Sequence, residues 1–455
     1  MQNRSERLGT EKISKLLLNL SLPATVGMLV NALYNVVDTI FIGRGVGSQG
    51  IGGLAIAFPI QIIILAFALT IGVGAASAVS RSLGANEREK ANKAAGNAFL
   101  GIIILSSAFS IFGLLFVDPL LRIFGATETL LPYARDYISV IFLGSVFYSF
   151  AVAANNLIRA EGNAKTAMFS MIIGTGLNII LDPIFIYPLE MGIKGAAWAT
   201  IISQFCSFIY VLVYLYSGKS VLRVKFQHLK LEREILREIF SVGSASFVRQ
   251  ISGSIVAMVL NNSLKFYGGD LYISILGIVN KVIAFLSMPV FGVVQGMQPI
   301  AGFNYGAGKV DRIRETVKLS LITTIALASS SWLICEIFAP QVVSIFTDDG
   351  EIITKGSSVM RVAIAMIPVI VIQVVGAGLF QALGKAFPSL LLSMLRQVLL
   401  FIPLALILPR IFNLGLWGIW LAFPAADLSA TLITAFFTRN QMEKLVQELK
   451  PKDVY

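Results

Sequence analysis

The sequence predicts an all-α polytopic membrane protein, with twelve transmembrane helices in two pseudo-symmetric six-helix lobes around a central cleft. Three observations carry that reading. Hydrophobic residues make up 56% of the 455 residues and charged residues only 13%, where a soluble domain carries about 25% charged residues. The apolar residues gather into about twelve runs, each long enough to cross roughly 30 Å of hydrocarbon. The first six runs and the last six also repeat one another at an almost constant sequence offset.

Taken in order, the runs fall at approximately 15–43, 51–80, 94–117, 132–158, 165–188 and 194–216, then at approximately 236–266, 272–301, 315–338, 353–382, 386–409 and 415–438. Ahead of the first, Gln2 to Lys15 is polar and carries Arg4, Arg7, Lys12 and Lys15, so no cleaved leader is expected. The net charge of +11 does not point to nucleic acid, because the basic residues sit in alternate loops. Arg81, Arg88, Lys90 and Lys93 follow the second run, and Arg159 and Lys165 flank the loop after the fourth. Lys309, Arg312, Arg314 and Lys318 follow the eighth, and Arg439, Lys444, Lys450 and Lys452 the twelfth. The odd-numbered loops are poorer in Lys and Arg, and the ninth is acidic at Asp348, Asp349 and Glu351. By the positive-inside rule both termini are expected in the cytoplasm, with the chain in the cell inner (plasma) membrane. Cys206 and Cys335 lie in apolar runs and indicate no disulfide.

The repeat is explicit. Gly84-Ala85 recurs as Gly306-Ala307 (306 − 84 = 222), and Ile123-Phe124 as Ile345-Phe346 (345 − 123 = 222). Leu157-x-x-Ala160-x-Gly162-x-Ala164 recurs as Leu379-x-x-Ala382-x-Gly384-x-Ala386 at the same offset, and Gly192-x-x-Gly195 as Gly415-x-x-Gly418 at 223. Six helices per copy is an even number, so the copies share one orientation and are related by an axis along the membrane normal. The expected units are an N-terminal lobe at 1–216, a cytoplasmic connector at 217–235, a C-terminal lobe at 236–438 and a cytoplasmic tail at 439–455. The connector mixes Lys219, Arg223, Lys225, Lys230 and Arg233 with apolar residues, as in a segment lying along lipid headgroups. It holds His228, the only histidine, so neither a histidine-rich metal site nor a Ser-His-Asp triad is available within the membrane.

The stretch with the most chemistry is Leu177 to Phe185, where Asp182 stands in an apolar run. An ionisable group at membrane depth costs roughly 2.5–3.5 kcal/mol on insertion scales, so such groups mark function by default. Asn178 and Asp182 are four apart and share a helix face. Pro183 removes a backbone donor and frees a carbonyl near Ile179. Acid, amide and carbonyl together suit a proton or a small cation; a structural cap on the turn at Pro188 is the plainer alternative. Asp38, in the outer part of the first run, has the same character. Two acids sharing a low-dielectric site cannot both ionise freely, which is the behaviour a proton carrier requires.

These residues resemble a known family, the multidrug and toxic compound extrusion (MATE) transporters. Pro23 followed by Asp38, in Leu22-Pro23-Ala24 and Asn35-Val36-Val37-Asp38, is similar to that family's first helix. Asn178-x-x-x-Asp182-Pro183 resembles its fifth, and Gln295-Gly296-Met297-Gln298-Pro299 with Asn304-Tyr305-Gly306-Ala307 the end of its eighth. The resemblance covers essentially the whole chain. It implies secondary antiport, in which organic, often cationic and amphipathic drugs leave as H⁺ or Na⁺ enters, without a cofactor. It also implies that Asp38, Asn178 and Asp182 form the coupling site, with Tyr137 and Thr200 beside it and Pro23 as a helix kink. A bound Na⁺ would use the same three residues. The sequence departs from sodium-coupled members in the C-terminal lobe. There the seventh run has no interior carboxylate, and the tenth has only Glu351 at its mouth and Gln373 within.

That lobe carries cations instead. Arg249, Lys281 and Arg396 fall well inside predicted spans, with Asp427 on the twelfth. They form either a site for a substrate or lipid headgroup or a structural ion-pair network, with Arg249 and Asp427 expected as the closest pair. Gly-x-Gly pairs at 72/74, 174/176 and 376/378 lie within apolar runs and serve helix packing. No G-x-x-x-x-G-K-[ST] motif supplies ATP chemistry. An intramembrane aspartyl protease is disfavoured, because neither Asp38 nor Asp182 lies in a Gly-x-Gly-Asp sequence. A transporter rather than an enzyme is expected, acting as a monomer on small-molecule drugs in the lipid bilayer. A flippase of a lipid-linked precursor is the alternative.

Overall fold

The computed structural model describes residues 4–411 and 414–449; Lys450, Lys452 and the rest of the extreme tail lie outside the described residues. Among the described residues, eleven helices are long and apolar enough to cross a membrane, and one bent pair completes a twelfth. Spans 1 to 6 are Ile13–Gly45, Ser48–Gly84, Arg88–Leu115, Leu131–Ala160, Ala164–Ile186 and Gly192–Tyr216. Spans 7 to 9 are Arg233–Tyr267, Gly269–Gly306 and Val310–Ile337. Span 10 is broken into Gly350–Ile364 and Ile367–Ala382, bent by 46°. Pro368 stands at the start of the second piece, where its missing N–H costs no helical bond. Span 11 runs from Ala386–Met394 through a π-helical stretch, Leu395–Phe401, into Ile402–Ile407. Span 12, Gly415–Leu449, continues helically past the expected start of the tail at 439.

The repeat extends to backbone conformation. Spans 4 and 10 each end on a left-handed glycine, Gly162 at φ 90° and Gly384 at φ 72° (384 − 162 = 222). In both, the next residue's N–H closes a six-residue bond, Asn163 to the Ile158 carbonyl at 3.0 Å and Lys385 to the Phe380 carbonyl at 2.9 Å. That geometry consumes helix-end carbonyls and requires positive φ at the glycine. Spans 2 and 8 end the same way on Asn86 and Gly308, again 222 apart.

Packing is unequal along the helices. One buried cluster draws on both lobes, but only on the halves nearest the connector, from Leu16 and Leu20 through Ala75 and Val79 to Met297, Ile300 and Leu379. Two other clusters are confined to one lobe each, around Tyr137 and Ile138 and around Trp420 and Leu260. The connector-side contact is backbone against backbone. A Cβ on Gly243 would fall 1.8 Å from the Thr70 carbonyl oxygen, and one on Gly74 2.0 Å from that of Ile239. No side chain fits there, so glycine is required for the close approach. In the other half of spans 7 and 8, Gly253 and Gly277 have nothing within 4 Å of that position. The lobes therefore meet at the connector face and part toward the opposite face, leaving a cleft.

The connector docks on the N-terminal lobe rather than lying free along headgroups. Glu161, fully buried at the end of span 4, accepts bonds from the Tyr214 and Ser220 hydroxyls and from the backbone N–H groups of Val221 and Leu222. Burial pushes its carboxyl pKa up, and those bonds pull against the shift. The Arg223 N–H donates to Asn92 at 2.8 Å, the Glu232 N–H donates to Asn97 at 2.7 Å, and buried His228 meets Glu89 at 3.0 Å.

Candidate functional site

Spans 1, 4, 5 and 6 bring Asp38, Tyr137, Asn178, Asp182 and Thr200 together inside the N-terminal lobe. All five are buried, Asp182 completely. The 178/182 spacing acts as the helix period requires: the Asn178 amide donates to Asp182 at 3.1 Å. It also reaches Thr200 Oγ1 at 3.2 Å, and that hydroxyl donates to the Ala196 carbonyl at 2.9 Å. Asp38 crosses from span 1 to stand within hydrogen-bonding reach of Asp182. Tyr137 faces both carboxyls, with Gln61 and Thr200 at its hydroxyl. Tyr34, one turn before Asp38 on the same face, completes the group. Its i,i+4 spacing from Asp38 is the signal that the sequence reading passed over.

Three acceptor oxygens are left without a partner among the described residues: Asp38 Oδ1, Asp182 Oδ2 and Asn178 Oδ1. Such buried atoms normally find one. Among the described residues no lysine or arginine pairs with either carboxyl. Two adjacent carboxylates out of water cannot both hold charge unless a proton or a cation sits between them. The arrangement suits binding and release of one positive charge. Pro23 lies lower on span 1, buried within an unbroken helix.

The same site does not recur in the other lobe. At the repeat offset, Asp38, Asn178 and Asp182 correspond to Leu260, Leu400 and Leu404 (38 + 222, 178 + 222, 182 + 222). Gln373 is buried and donates to the Leu392 carbonyl at 2.6 Å.

The C-lobe cations separate. Asp427, 1% exposed, binds Arg396 through two bonds of 2.5 and 3.3 Å. The expected Arg249–Asp427 pair does not form. Arg249 instead places its guanidinium 5.8 Å from the centre of the Phe291 ring, and Lys281 its ammonium 5.8 Å from that of Phe346. No four-membered network exists among these residues. Arg396 stands in the π-helical stretch of span 11, which packs against span 12, while Arg249 turns toward Phe291 on span 8.

The MatE family model matches residues 23–184 and again 245–407, two segments that begin 222 residues apart (245 − 23). The multidrug export protein MepA of Staphylococcus aureus (strain MSSA476) is 27% identical over 439 residues, covering 96% of each chain. Among solved structures, the MATE multidrug transporter DinF-BH is 43% identical with a TM-score of 0.89, covering 97% of this chain and 98% of that one. An outward-facing multidrug resistance MATE family transporter of the MOP superfamily is 27% identical with a TM-score of 0.93, covering 98% and 99%.

Proposed function

This chain belongs to the MatE family, and from that premise we propose that it is a multidrug efflux transporter working as a proton antiporter. Organic, cationic or amphipathic drugs leave the cell as protons enter. The observation that carries the coupling is the Asp38–Asp182 pair, buried, adjacent and without a basic partner among the described residues. One proton or one cationic charge satisfies it, so drug and proton exclude each other through a shared charge requirement. Asn178 and Thr200 orient the Asp182 carboxyl, and Tyr34 and Tyr137 close the group from water. The reading needs no cofactor and no second chain, since every residue of the site comes from one lobe.

The basic loops at the connector face support a cytoplasmic position for that face and both termini, with the chain crossing the plasma membrane. On this assignment the closed end points inward and the cleft outward. The units are 1–216, 217–235, 236–438 and the tail at 439–455. The decisive experiment imposes pH and Na⁺ gradients separately on proteoliposomes and follows uptake of a cationic dye. A pH gradient alone should drive transport. Asp182→Asn, which mimics the protonated acid, should abolish it with the fold intact, as should Asp38→Asn. Asn178→Ala should only weaken it. Undiminished gradient-driven transport by the double aspartate variant would refute the assignment, and transport driven by Na⁺ alone would replace the proton with sodium.

A further inference from the structure

At the connector face, below the cleft, a cavity lies between the lobes. Its volume, about 20 Å³, gives room for a single water-sized ligand. The lining is paired by the repeat: Val73 with Gln295, Ala76 with Gln298, and Arg159 with Gln381, each pair 222 apart. The cavity therefore straddles the axis relating the two lobes. The pairing is symmetric in position and asymmetric in chemistry. The N-terminal lobe contributes a guanidinium, and the C-terminal lobe contributes three amides.

Arg159 is half-buried and the only charged residue in the lining. Its Nη2 donates to Asn156 Oδ1 at 3.0 Å, and it has no carboxylate partner among the described residues. Glu238, at the start of span 7, is taken by Arg81 at 2.6 Å. The Gln298 amide donates one bond, to Gln381 Oε1 at 2.9 Å, and the Gln295 amide one, to the Met28 sulfur at 3.3 Å. Each amide nitrogen carries two hydrogens, so both keep a donor in reserve. A cation without a counter-charge, ringed by spare N–H groups around a space of one ion's size, has the composition of an anion site.

We propose that this cavity binds one small monovalent inorganic anion of the halide class, held by Arg159 from one lobe and by Gln295 and Gln298 from the other. The bound anion bridges the lobes at the face where their backbones already touch, and so favours the state closed there. The site is separate from the Asp38–Asp182 pair, which lies in the half of the N-terminal lobe away from this face.

The probe is chloride. The full-length protein, purified in detergent, is titrated with chloride against gluconate at constant ionic strength while its thermal unfolding is followed. Wild type should show a saturable rise in melting temperature, reproduced by bromide. Arg159→Gln gives the N-terminal lobe its counterpart's residue and should abolish the rise, whereas Arg159→Lys should keep part of it. Gln298→Leu should raise the half-saturating chloride concentration about tenfold, the loss expected for one hydrogen bond to a charged group. If Arg159→Gln does not fold, the Gln298→Leu titration decides. Identical melting of wild type in chloride and gluconate overturns the proposal, and so does an unchanged chloride response in Gln298→Leu.

Discussion

Breaking the Arg396–Asp427 pair separates two kinds of buried cation in this lobe. Asp427 is 1% exposed and Arg396 29% exposed, and they share two hydrogen bonds. Asp427→Asn removes the charge but keeps the shape, leaving a guanidinium inside the lobe without a counter-ion. Losing one partner of a buried pair costs roughly 3–5 kcal/mol, and the partial exposure of Arg396 argues for the lower end, about 3 kcal/mol. Arg249→Met leaves no orphan charge, because Arg249 has no acidic partner among the described residues. Its cost is the contact with Phe291, about 0.5–2 kcal/mol. The double variant Arg396→Met/Asp427→Leu removes both charges and should be more stable than Asp427→Asn alone. Thermal unfolding of the four proteins, purified in parallel in one detergent, gives the ranking. Equal losses for Asp427→Asn and Arg249→Met, or a double variant no better than Asp427→Asn, would refute the reasoning.

Two further outcomes are expected. In a background with Cys206 and Cys335 replaced, Asp348→Cys, which is exposed, should react with an impermeant thiol reagent on intact cells. Lys219→Cys, exposed on the connector, should react only after permeabilisation, and the reverse pattern would invert the proposed orientation. Glu161 supplies a pH dependence. Its pKa is raised on folding, so the folded state holds the proton more tightly than the unfolded chain. Its contribution is therefore fully present below the unfolded value, about 4.3, and is lost as pH rises through the folded value. The melting difference between wild type and Glu161→Gln, measured from pH 4 upward, should move against wild type with rising pH; movement in its favour would contradict the raised pKa.

The spans and the halves were legible because membrane burial leaves few options: apolar runs of sufficient length, and a repeat carried by glycines that positive φ makes hard to replace. The buried acidic cluster was legible for a related reason. Asp38 and Asp182 stand in runs where a carboxylate has no ordinary role, and Asn178 lies one turn from Asp182. Arg396 was not legible as the partner of Asp427, because a π-helical stretch changes which residues face a neighbour without a clear mark in composition. Nor was the docking of the connector. Glu161 sits in a polar loop where an acid looks solvated, and only the returning Ser220 to Leu222 segment shows that four donors surround it.

The frame is symmetric and the proposed coupling site is not, and that difference bears on mechanism. A proton bound in one lobe must act on the other through an element that touches both the site and the contact between lobes. Span 1 does so. It carries Asp38 in the half that lines the site, and Ser21 and Thr25 in the half that meets span 8, where Cβ atoms on Gly296 and Gly292 would fall 2.3 and 1.9 Å from their hydroxyl oxygens. Pro23 lies between those two contacts, where its ring denies the helix one backbone bond. Neutralising Asp38 or Asp182 removes the repulsion between the two carboxyls and so changes how the upper part of span 1 seats against span 5. The weakest point through which that change reaches span 8 is the turn at Pro23. On this reading, replacing Pro23 with alanine stiffens the link and uncouples drug movement from the proton gradient without disturbing the acids themselves. A Pro23→Ala protein whose dye uptake still follows the pH gradient as wild type does would place the link elsewhere.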